Sequence, residues 1–446
     1  MSGGEEALRA PNKTDQGQRH HRDAWLIIIM RGLRSFAYGM LAVLLGFTLS
    51  QARFAPAAIG VLITVSLAGD VVGTYVIGLF ADQWGRRRTL AYLSLLMAAT
   101  GVVFGLTTSY ALLLLAAFFG TLGTSASETA PFLPIEQAML PQTVPPRQRT
   151  ALFARYNLVA SFAGAFGALA ASLPDLLAPS VALGMRLFFG LYAALALTVA
   201  GLALRLSSIT EAPLRASAQT RNVWKRLVPP LSHSRGMVWR LTGLFGVDAL
   251  AGGLVVQSLM VLFFHLRFGV SLSVLSVLFF GANTCSALSF LAAAPLAKRI
   301  GLLSTMVFTH LPSNVLLILV AFAPTFPLAA ALLLARQALS QMDVPTRQAY
   351  TMALVSPSER TAAASLTGLA RSVGSATSPV ISGVLLQGPA LALGLPFILA
   401  GVLKAAYDGS LWLLFRQVPV EDATEHTDRT NTVSRETGAR EGGNES

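Results

Sequence analysis

The sequence predicts an all-α membrane protein with twelve transmembrane helices arranged in two six-helix halves. Of the 446 residues, 54% are hydrophobic and only 12% are charged, and the mean hydropathy of +0.61 is well above that of soluble globular proteins. The apolar residues form stretches of roughly 20 residues, the length that crosses a hydrocarbon core. The two halves of the chain also repeat each other in sequence.

The apolar stretches predict the spans in order, and clusters of turn residues separate them. In the first half the predicted spans are 25–48, 57–81, 89–108, 110–138, 151–173 and 182–204. In the second half they are 238–265, 270–294, 301–322, 326–350, 362–386 and 390–415. The spans divide the chain into a polar N-terminal tail, a first half, a linker, a second half and a C-terminal tail, at residues 1–24, 25–205, 206–236, 237–416 and 417–446. We expect the C-terminal tail to be disordered because it has almost no large apolar residues.

Basic residues lie in alternate connectors, and this alternation predicts the orientation of the spans. The basic connectors contain Arg86–Arg88, Arg147, Arg149, Lys298, Arg299 and Arg360. By the positive-inside rule these connectors face the cytoplasm, so both termini and the linker are predicted to be cytoplasmic. The same rule accounts for the net charge of +12 without a nucleic-acid partner. The first apolar run is too long for a signal peptide, so none is expected.

The halves are related by two sequence matches at equivalent places. "PIEQAMLPQTVPPRQRTA" (134–151) matches "PTRQAYTMALVSPSERTA" (345–362) in its Pro, Gln-Ala, Pro and Arg-Thr-Ala positions. "GLFADQWGRRRTL" (78–90) matches "APLAKRIGLLSTM" (294–306), where one alanine, one glycine and one threonine coincide. Two six-span halves in the same membrane orientation are related by an axis along the membrane normal, an arrangement found in transporters.

The stretch 78–90 resembles the signature of the major facilitator superfamily, which has a glycine, an aspartate four residues later, a second glycine and then basic residues. Gln83 and Phe80 depart from the usual residues of that signature. Span count, half repeat and the long central linker extend the resemblance over residues 25 to 415. A second stretch, "GSATSPVISG" (374–383), resembles the glycine-proline antiporter motif, which exporters of the family carry in the fifth span and not the eleventh. It favours export.

The resemblance implies a latch at the signature loop. In the family, the aspartate and the basic residues form a cytoplasmic charge network with the second half, near the start of the eleventh span, that keeps the outward-open state closed on the inside. The corresponding gating residues here are Gly78, Asp82, Gly85, Arg86 and Arg87, with Arg371 as the partner in the eleventh span. The alternative is local: the arginines orient the span and Asp82 forms a cap or turn.

Charged residues inside the spans are candidate site residues, because each costs roughly 2.5–3.5 kcal/mol to insert. Most of them lie on the first, fourth, seventh and tenth spans, which line the central cavity in the resembled family. The candidates for substrate or proton binding are Arg34, Asp70, Glu128, Asp248, Arg336 and Asp343. A structural role, as buried ion pairs that hold the halves in register, is the alternative for each of them.

Two further features refine this prediction. Pro131 and Pro134 interrupt the fourth span and Pro345 interrupts the tenth, and interrupted helices at corresponding places in two halves point to a transporter's binding site. Glu128 and Asp248 lie near the middle of their spans, where burial favours a protonated carboxyl and a nearby arginine favours the ionised form. We therefore expect these two residues to carry the coupling proton, with Asp70 or Asp343 as the alternatives.

The predicted function is secondary active transport by alternating access, with proton-coupled efflux of small molecules as the first interpretation. Proton-coupled uptake of a metabolite or sugar is the second, and a non-transporting receptor with the same fold is the third. No GxxxxGK, HExxH or GxSxG motif occurs, so an enzyme is not expected. The expected partners are a small-molecule substrate, protons and the lipid bilayer. We expect no cofactor, metal or nucleic acid, and a monomer that crosses the plasma (inner) membrane several times.

Overall fold

Turn-forming residues divide the apolar chain into helices that follow the predicted order of spans. The structure, a computed structural model, describes residues 13–124, 131–174, 180–211, 234–355, 359–389 and 392–418. Within these ranges all regular structure is helical, so the predicted all-α fold class is confirmed. Most of the predicted linker, the predicted C-terminal tail and the candidate Glu128 lie outside the described residues.

The first half contains α1 (Lys13–Gln51), α2 (Pro56–Trp84), α3 (Arg86–Leu106), α4 (Tyr110–Phe119), α5 (Phe132–Met139), α6 (Arg149–Ala170) and α7 (Val181–Leu204). The second half contains α8 (Arg235–Leu254), α9 (Gln257–Phe268), α10 (Leu272–Ile300), α11 (Leu302–Phe322), α12 (Phe326–Ser340), α13 (Asp343–Leu354), α14 (Arg360–Leu385) and α15 (Leu395–Phe415). Helix α1 begins inside the stretch predicted as a polar tail. Nine helical segments of the described chain are long and apolar enough to cross a membrane.

Three of the twelve predicted spans, the tenth, the fourth and the eleventh, are not among these nine segments of the described chain. The tenth span consists of α12 and α13, and the break precedes Pro345, which lacks an N–H group and crowds the preceding turn. The fourth consists of α4 and α5 on either side of 120–131. The eleventh, α14, is one helix but is rich in serine and threonine. The seventh span is broken after Leu254, a break that the sequence analysis did not predict.

The two halves repeat in backbone geometry as they do in sequence. Gly85, between α2 and α3, has φ 90° and Gly301, between α10 and α11, has φ 88°. These are the glycines that the sequence repeat aligns, and both occupy the left-handed region that favours glycine. Helix packing repeats too, since α1 packs on α6 and α3 on α7 in the first half, as α8 packs on α14 and α11 on α15 in the second.

The halves meet through α2 with α14, α6 with α10 and α1 with α9. Two ends of the molecule can be defined by residues: the Pro56 end, where α1 ends and α2 begins, and the basic end, which carries Arg86–Arg88 and Arg299. At the Pro56 end, a methyl group on Gly383 would lie 2.5 Å from the carbonyl oxygen of Pro56 and 2.9 Å from the Cα of Gly60. The helices α2 and α14 are therefore in backbone contact there.

Hydrogen bonds reinforce this contact at the Pro56 end. The Val380 amide on α14 donates to Thr64 Oγ1 on α2 at 3.0 Å, and the Ser258 hydroxyl on α9 donates to the carbonyl oxygen of Ala42 on α1 at 2.9 Å. Toward the basic end of α2 and α14, the contact is looser. A methyl group on Gly78 of α2 or on Gly368 of α14 would meet no atom of the described chain within 4 Å. The halves approach most closely at the Pro56 end.

Candidate functional site

An ion pair in the first half joins α1 to α5. The guanidinium of Arg34 donates to both carboxylate oxygens of Glu136, with Nη1–Oε1 3.0 Å and Nη2–Oε2 2.7 Å, and both side chains are fully buried. The Tyr156 hydroxyl on α6 donates to Glu136 Oε2 at 2.7 Å. The Arg34 guanidinium also lies 4.2 Å from the centre of the Phe132 ring. The carboxylate is therefore fully engaged, and the pair holds three helices together.

A larger charge cluster in the second half is centred on Asp248 of α8. Its Oδ2 atom lies 3.2 Å from Nη1 of Arg347 on α13 and 2.9 Å from Nη1 of Arg371 on α14. Its Oδ1 atom lies 2.6 Å from Nζ of Lys404 on α15. Arg347 Nη1 also lies 2.7 Å from Oδ2 of Asp343, one turn earlier on the same helix. One buried carboxylate thus connects four helices.

These two ion pairs occupy equivalent positions with their charges exchanged. Arg34 lies between Gly32 and Gly39, and Asp248 lies at the same spacing between Gly246 and Gly253, which aligns the two charged residues across the halves. The other members, Glu136 and Arg347, coincide in the match of 134–151 with 345–362. Each arginine also lies against a phenylalanine on its partner's helix, Phe132 or Phe245.

Sequence reasoning singled out Arg34, Asp248 and Asp343 but missed the partners Glu136, Arg347 and Lys404. A signal for two of them was present, because the repeat sets Glu136 against Arg347 and a pair of opposite charges at repeated positions is unusual inside a membrane. Nothing in the sequence indicates that Lys404 reaches Asp248, since it lies on the last span.

Two predicted site residues have unpartnered polar atoms in the part of the chain that the structure describes. Asp70 on α2 is 6% exposed, and its Oδ1 atom accepts no hydrogen bond there. The hydroxyl of Ser66, one turn earlier, is likewise buried without a partner among the described residues. Arg336 on α12 is 8% exposed, and it donates through Nη1 to Gln337 Oε1 while its Nε has no partner in the described chain.

A buried polar triad lies next to the Asp248 cluster. His310 Nδ1 on α11 lies 2.9 Å from Oδ1 of Asp408 on α15, and the Asn314 amide donates to Asp408 Oδ2 at 2.8 Å. Asp408 follows Lys404 by one helical turn, so both face the same side of α15. Both carboxylate oxygens of Asp408 therefore have partners within the triad.

The signature loop has local partners in this conformation. Asp82 Oδ1 lies 2.7 Å from Nε of Arg86, one turn later. The backbone amides of Arg86 and Arg87, which begin α3, donate to the Glu211 carboxylate at 2.6 and 3.3 Å, a favourable position for a negative charge at a helix N-terminus. The structure does not bring Asp82 and Arg371 together, because Arg371 contacts Asp248.

Solved structures of similar fold cover most of this chain. A nucleoside transporter, NupG, in its D323A mutant form, has a TM-score of 0.72 at 15% identity, with 88% of this chain and 100% of that chain covered. A D-xylose-proton symporter has a TM-score of 0.68 at 13% identity, with 87% and 97% covered. At these identities the likeness shows the fold alone.

Sequence comparison identifies the family. The chain is 27% identical over 423 residues to the uncharacterized membrane protein YJR124C of Saccharomyces cerevisiae, which covers 88% of this chain and 94% of the relative. The family model described as Major Facilitator Superfamily matches residues 27–335. This match confirms the resemblance that the signature stretch indicates, and with the apolar helices it supports a multi-pass membrane transporter. The chain belongs to the major facilitator superfamily.

Proposed function

We propose that this protein is a proton-coupled secondary transporter of a small polar molecule that works by alternating access. The observation that carries the proposal is Asp70, a buried carboxyl group whose Oδ1 has no partner among the described residues. A carboxylate in such a site is costly when ionised and stable when protonated. Asp248 is less suited to this role because three cationic groups lie against it.

The position of Asp70 suits a proton carrier. It lies at the middle of α2, fourteen residues from Pro56 and fourteen from Trp84, which is about 21 Å from each end at about 1.5 Å per residue. A proton site at this depth is reached from one side when the halves part at the basic end and from the other side when they part at the Pro56 end. The positive-inside rule supports placing the basic end in the cytoplasm, so the conformation described here corresponds to an inward-facing state.

The signature loop then takes the role of a latch for the opposite state. In an outward-facing state the basic ends of α2 and α14 come together, and Asp82 becomes available to residues at the start of α14. In the inward-facing state Asp82 instead pairs with Arg86. A gating role requires Asp82 to exchange Arg86 for a partner at the start of α14, whereas a local cap keeps the pair with Arg86 in both states.

The direction of transport that we propose differs from the first interpretation of the sequence. Export rested on the glycine-proline stretch of the eleventh span, and helix packing accounts for its glycines, because Gly374 lies against the Gly246 backbone and Gly383 against that of Pro56 and Gly60. The D-xylose-proton symporter has a similar fold. The glycine packing removes the support for export, and the symporter of similar fold shows that the fold is compatible with uptake. We take uptake of the solute together with a proton as the proposed direction, and export remains the alternative that the experiment below tests.

The test uses the purified full chain in liposomes that contain a pH-sensitive dye. Sugars, nucleosides and organic acids are added outside, one at a time. We expect at least one to acidify the lumen, because solute and proton enter together, and alkalinisation would indicate antiport. Asp70→Asn should abolish this proton movement but retain exchange of the same labelled solute. Asp23→Asn, the same change at a buried carboxylate near the basic end that accepts hydrogen bonds from Ser207, is the control and should retain proton movement.

Two results contradict the proposal. Undiminished proton movement in Asp70→Asn would move the coupling to another carboxyl group, and Glu128 or Asp343 would be tested next. A wild-type protein that neither moves protons nor exchanges any solute of the panel would support the non-transporting receptor.

A further inference from the structure

We propose that the charge cluster of the second half binds a small organic anion, a carboxylate or phosphate ester, as the transported substrate. This inference rests on the proposed function and names the class of solute. It follows from an excess of positive charge, from where that excess lies and from the geometry of the cations.

The described middle portions of the second-half spans contain more cations than carboxylates. The cations are Arg336, Arg347, Arg371 and Lys404, and the carboxylates are Asp248, Asp343 and Asp408. Placing a charge in the interior of a membrane is costly unless an opposite charge compensates it, so the cluster is completed by one negative charge that the described chain does not supply.

The excess positive charge is carried by Arg336 and Arg371. Arg336 is 8% exposed, and its Nε has no partner among the described residues. Arg371 and Arg347 share a single oxygen of Asp248, so neither guanidinium makes a two-fold contact with that carboxylate. By contrast, Arg34 in the first half contacts both oxygens of Glu136 in a fully buried, charge-balanced pair.

Guanidinium groups with spare donors recognise planar carboxylates and phosphates through paired N–H···O bonds. The side chain of Arg371 is 34% exposed, the largest exposed fraction in the ion pairs of this cluster. Arg371 is therefore the group that meets an entering anion. Arg336, whose guanidinium interacts electrostatically with Asp343 and Asp248, offers a further donor at Nε. A cationic solute is repelled by the same arrangement, and a neutral solute does not compensate the charge.

This substrate class agrees with the proton site of the first half. A proton on Asp70 that moves together with the anion offsets one of the anion's negative charges, so less net charge crosses the membrane. The two halves then divide the task, with the proton bound at α2 and the anion bound between α8, α12 and α14.

The experiment measures binding in detergent without a proton gradient. The thermal unfolding midpoint of the full chain is followed by tryptophan fluorescence with citrate, succinate, glucose 6-phosphate or inorganic phosphate, each at matched ionic strength. Glucose and choline are the neutral and cationic comparisons. Because a ligand that binds only the folded protein raises its stability, we expect at least one anion to raise the midpoint, and glucose and choline to leave it unchanged.

Variants locate the site. Arg371→Gln and Arg336→Gln should each weaken binding of the effective anion about tenfold or more, since each removes charge-assisted hydrogen bonds to the anion. Arg360→Gln, an exposed arginine at the start of the same helix as Arg371, is the control and should bind as the wild type. A midpoint that no anion raises, or an anion effect that survives in both variants, overturns the assignment.

Failure of the anion-binding proposal can be distinguished from failure of the proposed transport function. Asp70→Asn should retain the anion-induced rise, because binding in detergent requires no proton movement. Proton-coupled flux of an uncharged solute, with no binding of any anion, would contradict the substrate class and leave the transporter proposal intact.

Discussion

Glu136 and Arg347 occupy the same position in the two halves and carry opposite charges. Each pairs with the first helix of its own half, Glu136 with Arg34 and Arg347 with Asp248. An ion pair keeps its Coulomb attraction when its members change places, whereas loss of one member leaves a buried charge facing a neutral group. At the scale of single residues, both halves therefore have an ion pair at this place, although the charges of its two members are exchanged.

Glu136→Gln tests how much this ion pair contributes to the stability of the protein. The substitution should destabilise the protein by about 3–5 kcal/mol, because the Arg34 guanidinium then faces an amide in a fully buried site. The readout is the thermal unfolding midpoint in detergent. Exchanging both charges, with Arg34→Glu and Glu136→Arg, should recover part of the loss.

Tyr156→Phe provides the matched control for that series. It removes one hydrogen bond to Glu136 and leaves the ion pair in place, so the loss of stability should be smaller than that of Glu136→Gln. If Glu136→Gln unfolds at the wild-type temperature, the pair does not stabilise the fold, and a role in substrate binding becomes the better interpretation of Arg34.

At the scale of helices, α2 and α14 form the most extensive contact between the halves among the described residues. The approach at Gly60 and Gly383 leaves no room for a side chain, because a methyl group on Gly383 would lie 2.5 Å from the Pro56 carbonyl oxygen. Backbones approach this closely in membranes where small residues line the interface. The contact exists in the conformation described here and must separate when the Pro56 end opens.

Gly383→Val should therefore shift the conformational balance away from this state. The valine side chain prevents the contact at the Pro56 end, so the halves are expected to part there and close at the basic end. A single cysteine at Arg88, in a chain with Cys285 replaced by serine, reports accessibility at the basic end in membranes. Its rate of labelling should fall in Gly383→Val, and transport should fall with it.

Asp82→Asn should have the opposite effect on the same reporter. Loss of the carboxylate weakens the latch proposed for the other state, so labelling at the basic end should rise or stay high while flux decreases and binding in detergent changes less. Equal labelling rates in wild type, Gly383→Val and Asp82→Asn would show that neither site controls the balance, and unaltered flux in Asp82→Asn would return that residue to a local structural role.

At the scale of the whole molecule, the alternation of basic connectors assigns each end of the molecule to one side of the membrane. The structure places Arg86–Arg88 and Arg299 at one end and the Pro56 contact at the other. Orientation follows from the translocation cost of Lys and Arg, a property of the chain during insertion. The basic end is accordingly predicted to be cytoplasmic, together with the linker near Arg221.

Cysteine labelling of intact cells tests this topology. With Cys285 replaced by serine, a cysteine at Gln387, near the Pro56 end, should react with an impermeant thiol reagent. A cysteine at Arg221 should react only after the cells are opened. Labelling of residue 221 and protection of residue 387 in intact cells would show that the protein has the opposite orientation in the membrane.

Much of the candidate site was predictable, though not its pairing. Charges at Arg34, Asp248, Asp343 and Arg336 stood out because charge is rare in apolar spans. The repeat contained the signal for Glu136 and Arg347, but a repeat aligns positions and does not identify contacts. Lys404 and Asp408 had no signal, because a basic residue on a terminal span is equally compatible with a place at the membrane interface.

The sequence by itself determined the helical class, the order of the spans and the relation of the halves. These are local properties, since each span must satisfy its own backbone hydrogen bonds across a hydrocarbon core of fixed thickness, and a glycine that needs a positive φ is recognisable at both Gly85 and Gly301. Only the tertiary structure decided which charges meet. Asp248 reaches Lys404 across 156 residues of sequence, and whether Arg371 contacts Asp248 or approaches Asp82 depends on how the two halves pack. A buried charge must find its partner on whichever helix the packing brings within reach, and packing is a property of the assembled bundle and not of any one span.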